Sequence, residues 1–559
     1  MLRLHQSRSM SIVTGFKLQS FGGKAPKVFA RLLPNEMAQV ATNTRLDSGR
    51  LAPWKGNTSA SITPVASYSI TGATKTLFRY SSSIWIGSNE DLNIVRSPIA
   101  EDPNERLYVT GIGGASGYPR MTTATIVGNG TYYQLGIPSP AVFSSVTVVG
   151  TSSVTATETP QTRSYIFTYV SAYGEEGVPS QALVSQVVDV YSDQTVTVTF
   201  PGNPTGNHNL VTKRLYRTDS NGVFRRVTET VNSSHNDTAT DDQLGEEIPT
   251  SNFDAPADNT SSDHPDGPLL GLVSMPNGIL AGFSGQTVSF SEAFQPHAFP
   301  SEYRLTMKSD VVAIAPLNTG LLVLTKEKPA VVQGLDPEAM TMVEVDSTLS
   351  CVAKRSVVDM GEYVIYASPD GLVRASDNGL NLITESVLTR DQWQDLTPSS
   401  IVAFQYEGHY VAFYNNGSES KGFIFDPRGG KNSYIKLDFH ATAGFNDLEN
   451  DELYLVVSGS VYKFAQGADL SFTWRTKKFY VDRPINPGVA KVECDSYSPA
   501  PVMKLYADGA LKHTQTVSNG DLFRLPSGYK GHEFEIELSG SVPINQVCVY
   551  ESAGEIGGQ

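Results

Sequence analysis

The stretch GILAGFSGQTVSFS, residues 278–291, predicts two short apolar strands joined by a tight turn. Four later stretches have the same form and recur about every 35 to 50 residues: VVAIAPLNTGLLVLTKEKPAVVQG (311–334), EYVIYASPDGLVRAS (362–376), SIVAFQYEGHYVAFYNNG (400–417) and DELYLVVSGSVYKFA (451–465). Repeats of this period, each a small antiparallel sheet, are typical of a β-propeller, in which closure removes free sheet edges. We therefore predict that residues 266–468 supply most of a propeller of about six blades, with an open run of sheets as the alternative.

Residues 67–158 are predicted to form the first blade and a connector, with strands in TLFRYSSSIWIGS (76–88) and ERLYVTGIG (105–113). A different module follows at 159–265, where alternating residues and the Ser220-Asn221-Gly222 turn predict antiparallel hairpins. Its stretches TYVSAYGEEGVPS (168–180) and KRLYRT (213–218) resemble a fibronectin type III-like β-sandwich. Residues 233–268 lack apolar periodicity and are predicted to be a linker back to the main body, which makes the sandwich an insertion in the propeller.

The last region, residues 469–559, predicts a second small β-sandwich, from strands such as FTWRTKKFYV (472–481), VMKLYADG (502–509) and EFEIELSG (533–540). Composition favours the same mostly β fold class, because the 559 residues include 48 Gly, 32 Pro, 25 Tyr and 24 Phe and only 18% are charged. The length suggests about three to five domains.

The N-terminal segment, residues 1–66, is predicted to be an arm and docking segment with one short helix. Its central stretch is FGGKAPKVFARLLPNEMAQVATNTRLDSGRLAPWKG, residues 21–56. Gly22 and Gly23 indicate a turn, and Pro34 suits the first position of a helix that ends near Asn43. The order of turn, helix and turn suggests an assembly element; the alternative is an arm packed on its own domain.

The stretch 21–56 resembles the opening of the tail nozzle proteins of short-tailed bacteriophages, also called tail tubular protein B. The same family pattern returns in order in residues 267–303, 351–373, 384–401 and 523–528. None of these pieces is a strict motif. Together they span most of the chain, and five pieces in the expected order make a chance resemblance improbable.

The resemblance implies a structural virion protein and no enzyme. Proteins of this family form a ring, usually sixfold, below the portal and adaptor, and serve as a conduit for DNA ejection and a platform for fibre or tip proteins. The implied partners are copies of the same chain, portal-adaptor proteins, fibre or tip proteins, and genomic DNA that passes without specific binding. The implied location is the virion tail, after synthesis in the host cytoplasm.

Four residues of the N-terminal segment are the predicted partner-docking residues: Arg31, Arg45, Arg50 and Trp54. The arginines are candidates for contact with an acidic partner surface. For each of them the alternative is a salt bridge within the subunit. For Trp54 the alternative is a core anchor, the common role of a single tryptophan in strand-rich sequence.

Charge is unevenly distributed over the chain, whose net charge is −15. Residues 1–56 hold nine Lys and Arg against two acidic residues, whereas residues 159–265 hold six against fourteen. The acidic total argues against a protein that grips nucleic acid, because phosphate contacts need clustered Lys and Arg. On the nozzle hypothesis, acidic residues in the bore repel DNA; the alternative is ordinary solubility.

The sequence predicts no catalytic, cofactor-binding or metal-binding residues. The turns 368–371 and 376–379 partly resemble the Asp-box turns of sialidases, yet neither has the following aromatic residue. His297 is predicted to be a loop or core histidine. The acidic cluster of Asp237, Asp241, Asp242, Glu246 and Glu247 is predicted to be a solvated loop, because Gly245 does not fit an EF-hand.

Cysteine spacing and hydropathy give two further predictions. The three cysteines, Cys351, Cys494 and Cys548, lack C-x-x-C spacing, so we expect buried free thiols. The N-terminus lacks an apolar run of signal-peptide length, and no window approaches a membrane span, so we expect a soluble, unprocessed protein.

Two other functions stay open: a tail-associated adhesin that binds a host-surface glycan, and a propeller glycoside hydrolase, for which no opposed carboxylate pair is identifiable.

Overall fold

The computed structural model of the chain describes residues 15–65, 68–114, 117–249, 252–259, 264–334, 336–430 and 434–555. The first fourteen residues of the predicted arm lie outside this range. The described residues are mostly β, as the sequence predicts, with two short α-helices at α1 (Ala124–Val127) and α2 (Arg390–Gln394).

The strands are numbered in chain order. The first group is β1 (Gly15–Leu18), β2 (Ala38–Thr42), β3 (Thr44–Arg45), β4 (Ala52–Pro53), β5 (Thr58–Ser59), β6 (Thr76–Arg79), β7 (Trp85–Ser88), β8 (Asn93–Arg96), β9 (Leu107–Thr110), β10 (Arg120–Thr122) and β11 (Tyr133–Gln134). The second group is β12 (Ser145–Val149), β13 (Gln161–Arg163), β14 (Tyr165–Ser171), β15 (Val188–Val190), β16 (Thr195–Thr199), β17 (Leu210–Thr218), β18 (Phe224–Thr230) and β19 (Ser234–Asp237).

The third group is β20 (Leu270–Ser274), β21 (Leu280–Ser284), β22 (Thr287–Phe290), β23 (Arg304–Thr306), β24 (Val311–Leu317), β25 (Gly320–Thr325), β26 (Ala330–Gln333), β27 (Thr341–Glu344), β28 (Val358–Asp359), β29 (Val364–Ala367), β30 (Leu372–Ser376) and β31 (Gly379–Leu382). The fourth group is β32 (Val402–Tyr406), β33 (His409–Asn415), β34 (Ser420–Phe425), β35 (Tyr434–Leu437), β36 (Ala443–Asp447), β37 (Glu452–Val457), β38 (Ser460–Lys463), β39 (Phe472–Thr476), β40 (Phe479–Ile485), β41 (Val489–Cys494), β42 (Val502–Ala507), β43 (Ala510–Thr516), β44 (Phe523–Arg524), β45 (Gly531–Gly540) and β46 (Ile544–Tyr550).

The predicted repeating unit is present as antiparallel groups of four strands. Four of them are β8–β11, β20–β23, β24–β27 and β28–β31, each with strands hydrogen-bonded in chain order. A fifth, β32–β35, continues into a larger sheet, and in the sixth, β36–β38, the fourth strand is β5 from near the N-terminus. Each of the five stretches that predicted strand pairs contains one, such as β21 with β22 and β37 with β38.

The chain divides into two compact units. The described parts of Met1–Ile62, Thr71–Ala73 and Val352–Gln559 form the first unit, and those of Thr63–Ile70 and Thr74–Cys351 form the second unit. In the first unit, the sheet β1-β46-β41-β44 and the larger sheet that contains β2, β39 and β45 share one apolar core. Trp474, Phe534 and Leu538 belong to this core and are fully buried.

The predicted helix at residues 34–43 is wrong. Residues 34–37 form a turn, closed by a hydrogen bond from Met37 N to Pro34 O, and residues 38–42 are strand β2. This strand lies between β35 and β39, where Ala41 is opposite Trp474. Pairing with strands some 400 residues later in the chain overrides the local helix signals.

The inserted module lies in the second unit. The sheets β14-β17-β18 and β12-β16-β19 bury one core that includes Phe143, Phe167, Val196 and Leu215. The predicted turn between β17 and β18 is confirmed, with Gly222 N bonded to Asp219 O at 3.0 Å. The predicted linker starts too early, because residues 234–237 form β19 against β16. The fibronectin type III-like assignment and the C-terminal sandwich stay predictions.

Candidate partner-binding surface

Residues 24–37 form an irregular loop on the first unit, and neighbouring segments hold it at several points along its length. Its backbone forms hydrogen bonds with residues that are distant in the chain. The bonds are Lys24 N to Tyr434 O (2.9 Å), Lys27 N to Val387 O (2.9 Å), Lys478 N to Ala30 O (3.1 Å) and Gln392 Nε2 to Pro26 O (3.0 Å). A loop tied in this way presents its outer side chains in one arrangement.

The loop buries some apolar residues and exposes others. Ala25, Leu33 and Met37 form a small core beneath it. Phe29 and Leu32, by contrast, are 66% and 75% exposed, and the hydrogen bond from Leu32 N to Phe29 O (2.7 Å) keeps them in one turn. Two large apolar side chains held outward in a fixed loop are typical of a contact surface.

Arg31 and Tyr480 extend this exposed region. The Arg31 guanidinium lies 5.0 Å from the centre of the Tyr480 ring, and Tyr480 is 54% exposed. We call Phe29, Arg31, Leu32 and Tyr480 the loop surface. Arg31 was predicted from the sequence, but Phe29 and Leu32 were not. Their signal in the sequence is a pair of apolar residues in a basic, proline-flanked stretch without strand alternation.

The loop surface has a positive charge. Glu533 accepts from Lys478 (2.8 Å) and from Arg31 (3.1 Å), so two cations share one carboxylate. Lys478, and after it Arg31, hold the pKa of Glu533 below its ordinary value. Lys27 donates instead to a neutral group, the backbone carbonyl of Glu385, at 2.6 Å. Among these four groups, three cations therefore stand against one carboxylate.

Arg45 and Arg50, the other arginines selected from the sequence, make ion pairs within the chain. Arg45 lies 2.9 Å from Asp47 and 2.8 Å from Glu407, and Arg50 lies 2.7 Å from Asp495. Both arginine side chains remain more than a third exposed. Contact of Arg31, Arg45 or Arg50 with a partner stays a prediction.

Trp54 does not reach the surface. Its side chain is 1% exposed, stacks on Phe464 at 6.0 Å and lies in a core with Val411 and Phe413. The Arg45 guanidinium covers it at 4.8 Å. The prediction of Trp54 as a docking residue is wrong, because its buried ring has no access to a partner. Trp54 is a core anchor.

The acidic cluster of the inserted module is only in part the solvated loop that was predicted, because Asp242, Glu246 and Glu247 are exposed but Asp237 is buried. Asp237 is fully buried, 2.9 Å from the equally buried Arg217, and accepts from the Tyr165 hydroxyl at 2.7 Å. Asp241 accepts from Arg217 at 2.8 Å. These carboxylates neutralise a buried guanidinium. Among the described residues, no group of three or more His, Cys, Asp or Glu side chains has the arrangement of a metal site.

The other groups that could carry chemistry make contacts within the fold in the described part of the chain. His297 is 1% exposed, and its Nε2 lies 3.0 Å from the Glu176 carbonyl, so it is a core histidine as predicted. The turn 368–371 is closed by Ser368 N to Gly371 O at 2.8 Å. Burial raises the pKa of the Cys494 thiol to about 12, which keeps it in the protonated, unreactive form.

A cleft of about 460 Å³ in the second unit is lined in part by Asp254, Asp258, His264 and Arg304. Burial raises the pKa of Asp254.

No helix in the described part of the chain is long and apolar enough to cross a membrane.

Comparison with known proteins identifies no family. No family model matches the chain, and no curated protein matches it. Similar solved structures include Hsv2 of Kluyvelomyces marxianus, with 8% identity, a TM-score of 0.24, and coverage of 52% of this chain and 90% of that one. An exported protein of Bacteroides fragilis NCTC 9343 has 9% identity and a TM-score of 0.24 over 43% of this chain and 76% of its own.

Another similar structure is dihydro-heme d1 dehydrogenase NirN in complex with DHE. It has 12% identity and a TM-score of 0.23 over 66% of this chain and 74% of its own. TM-scores this low carry no argument about fold or function.

Proposed function

We propose that the protein is a structural subunit of the tail nozzle of a short-tailed bacteriophage and assembles into a ring below the portal and adaptor. The observation that carries this proposal is the loop surface. The segment that resembles the opening of nozzle proteins is the one that holds Phe29 and Leu32 outward on a firmly bonded loop. An assembly protein needs such a preorganised apolar contact, because ordering a loose loop on binding costs free energy.

The proposal includes a closed β-propeller. Its support is the set of antiparallel four-stranded groups and the pairing of β5 with β38, which joins the start of the chain to the last group. A strand shared between distant parts of the chain is a way to close a ring of sheets and remove the free edges. The fibronectin type III-like insertion and the C-terminal sandwich belong to the same proposal.

In the proposed ring, each copy contacts its neighbours, the adaptor, and fibre or tip proteins. The ring is hexameric, and genomic DNA passes through its bore without specific binding. The net charge of −15 suits a conduit that DNA does not adhere to.

The test is the mass and symmetry of the purified protein, alone and mixed with its phage's adaptor-bearing portal, by light scattering and negative-stain imaging. A ring, alone or on the portal, is the expected result. Leu32→Ser is expected to weaken the ring, while Leu448→Ser, at a residue 81% exposed elsewhere on the first unit, is the control. A protein that stays monomeric in both conditions contradicts the proposal, and binding to host-surface glycan would then favour the adhesin.

A further inference from the structure

We infer that Arg120, together with the tyrosines Tyr68 and Tyr132, binds a small oxyanion, meaning a phosphate or carboxylate group. All three residues belong to the second unit, and Arg120 lies on strand β10. The inference goes beyond the proposed nozzle function and does not depend on the formation of a ring.

Arg120 carries a charge that no acid in the described part of the chain neutralises. Its side chain is half-buried and makes neither an ion pair nor a hydrogen bond with any described residue. The nearby Arg106, by contrast, is paired with Asp102 and with Glu175, each at 2.7 Å. Because removal of an unpaired charge from water is costly, we expect an anion to bind Arg120.

Tyrosine rings surround the Arg120 guanidinium. It lies 4.6 Å from the centre of the Tyr118 ring and 5.4 Å from the centre of the Tyr132 ring. Burial raises the pKa of Tyr68, and the charge of Arg120 opposes this rise, so Tyr68 also lies near the guanidinium. Ring faces attract the cation but do not take up its N–H donors.

Two of these tyrosines have buried hydroxyls that are also unpaired. Neither the hydroxyl of Tyr68 nor that of Tyr132 has a hydrogen-bond partner among the described residues, and the same is true of the buried Nε of Arg120. Tyrosine hydroxyls usually have a partner when they are buried. Buried polar groups without a protein partner indicate a bound water or ion. Three such groups around one guanidinium favour an ion.

The donors determine the chemistry of the ligand. A guanidinium has N–H donors in a planar fork and no acceptor, and each hydroxyl can donate one further hydrogen bond. Arg120 repels a cation, and a neutral ligand would leave its charge unpaired. An oxyanion has several acceptor oxygens, so two of them can bind the guanidinium fork while the tyrosine hydroxyls donate to the same group.

The experiment is calorimetric titration of the full chain with inorganic phosphate and, separately, with acetate, at an ionic strength kept constant with chloride. We expect saturable binding of one ion per chain, and the tighter of the two ions shows whether the site prefers phosphate or carboxylate. Arg120→Gln is expected to weaken binding at least about tenfold, because it removes the charge and the fork. Tyr132→Phe removes one donor and is expected to weaken binding about threefold to tenfold.

Arg374→Gln is the matched control. The Arg374 guanidinium lies 3.8 Å from the centre of the Tyr363 ring, and none of its nitrogens is buried without a partner in the described structure. This variant is expected to bind the ion as the wild type does. Circular dichroism in chloride alone shows whether each variant is folded.

Arg120→Lys serves if Arg120→Gln does not fold. It keeps the charge but loses the planar fork, so we expect weaker binding than in the wild type and a normal fold. Binding that is unchanged in the folded Arg120 variants overturns the inference. So does the lack of saturable binding of either ion up to about 10 mM, which would show that the tyrosine hydroxyls bond only to water.

Discussion

Trp474 donates its indole N–H to the carbonyl oxygen of Gly22 at 2.9 Å, across 452 residues of chain. Phe21 packs edge-on against the same indole, with ring centres 5.0 Å apart. The bond joins the segment that carries the loop surface to β39, which lies between β2 and β45 in the large sheet of the first unit. The position of the segment that carries the loop surface and the folding stability are therefore both expected to depend on Trp474.

Replacement of this tryptophan tests that dependence. Trp474→Phe leaves the Gly22 carbonyl without its buried donor, which is expected to lower the free energy of unfolding by about 1–3 kcal/mol. Urea denaturation followed by circular dichroism measures it. Tyr480→Phe, at an exposed ring near the same loop, is the control and is expected to change stability by less than about 0.5 kcal/mol. Equal effects of the two variants would show that the bond does not anchor the segment.

The ion pair of Arg217 and Asp237 predicts a larger effect. Both side chains are fully buried, so Asp237→Asn leaves a guanidinium charge undercompensated in the core, at a cost of about 3–5 kcal/mol. Asp495→Asn breaks a pair with Arg50 in which both side chains are about half exposed, and is expected to cost less than about 1 kcal/mol. Denaturant titration of both variants measures how much free energy of unfolding each one loses. Equal losses would refute the proposed role of the buried pair.

His297 predicts how the stability changes in mild acid. Burial lowers its pKa below the ordinary 6.5, partly offset by Glu175, so the folded state favours the neutral ring. The unfolded state then binds the proton more readily, and stability that is complete above pH 6.5 falls as the pH decreases, by at most about 1.4 kcal/mol per pH unit.

His297→Asn should flatten this dependence. Melting temperatures of wild type and variant between pH 7.5 and pH 5, referred to each protein's value at the higher pH, are the measurement. Because Asn does not titrate, the variant is expected to lose less stability over this interval than the wild type. Parallel pH curves would show that proton uptake occurs elsewhere.

The two turns that partly resemble Asp boxes differ in whether they have room for an alanine in place of glycine. Gly371 has φ +156°, and a Cβ there would overlap the Thr384 hydroxyl, which accepts from Leu372 N at 3.0 Å. Gly379 has φ +115° and open space around a Cβ. Gly379→Ala is expected to cost about 1 kcal/mol from backbone strain alone.

Gly371→Ala is expected to cost about 1–3 kcal/mol more than that, because overlap is added to strain. Thermal unfolding of the two variants measures the difference. Identical melting temperatures would mean that Thr384 moves aside freely.

The strand pairs of the repeating units were predictable because their signals are local. In residues 278–291 and 451–465, alternation and a turn residue specify a hairpin within about fifteen positions, and the structure has those hairpins. Charge asymmetry between the N-terminal segment and the inserted module is likewise a property of the sequence itself.

Tertiary structure alone decided the features that depend on distant partners. Residues 38–42 have helix-compatible sequence but become β2 because β35 and β39 supply the pairing, and Trp54 is buried because its neighbours come from residues near 411 and 464. The same holds for Arg217 and Asp237, whose charges are stable in the core only as a pair. Local sequence determined which segments form strands and turns; contacts between segments hundreds of residues apart determined which side chains were left outside, since exposure depends on what the rest of the chain covers.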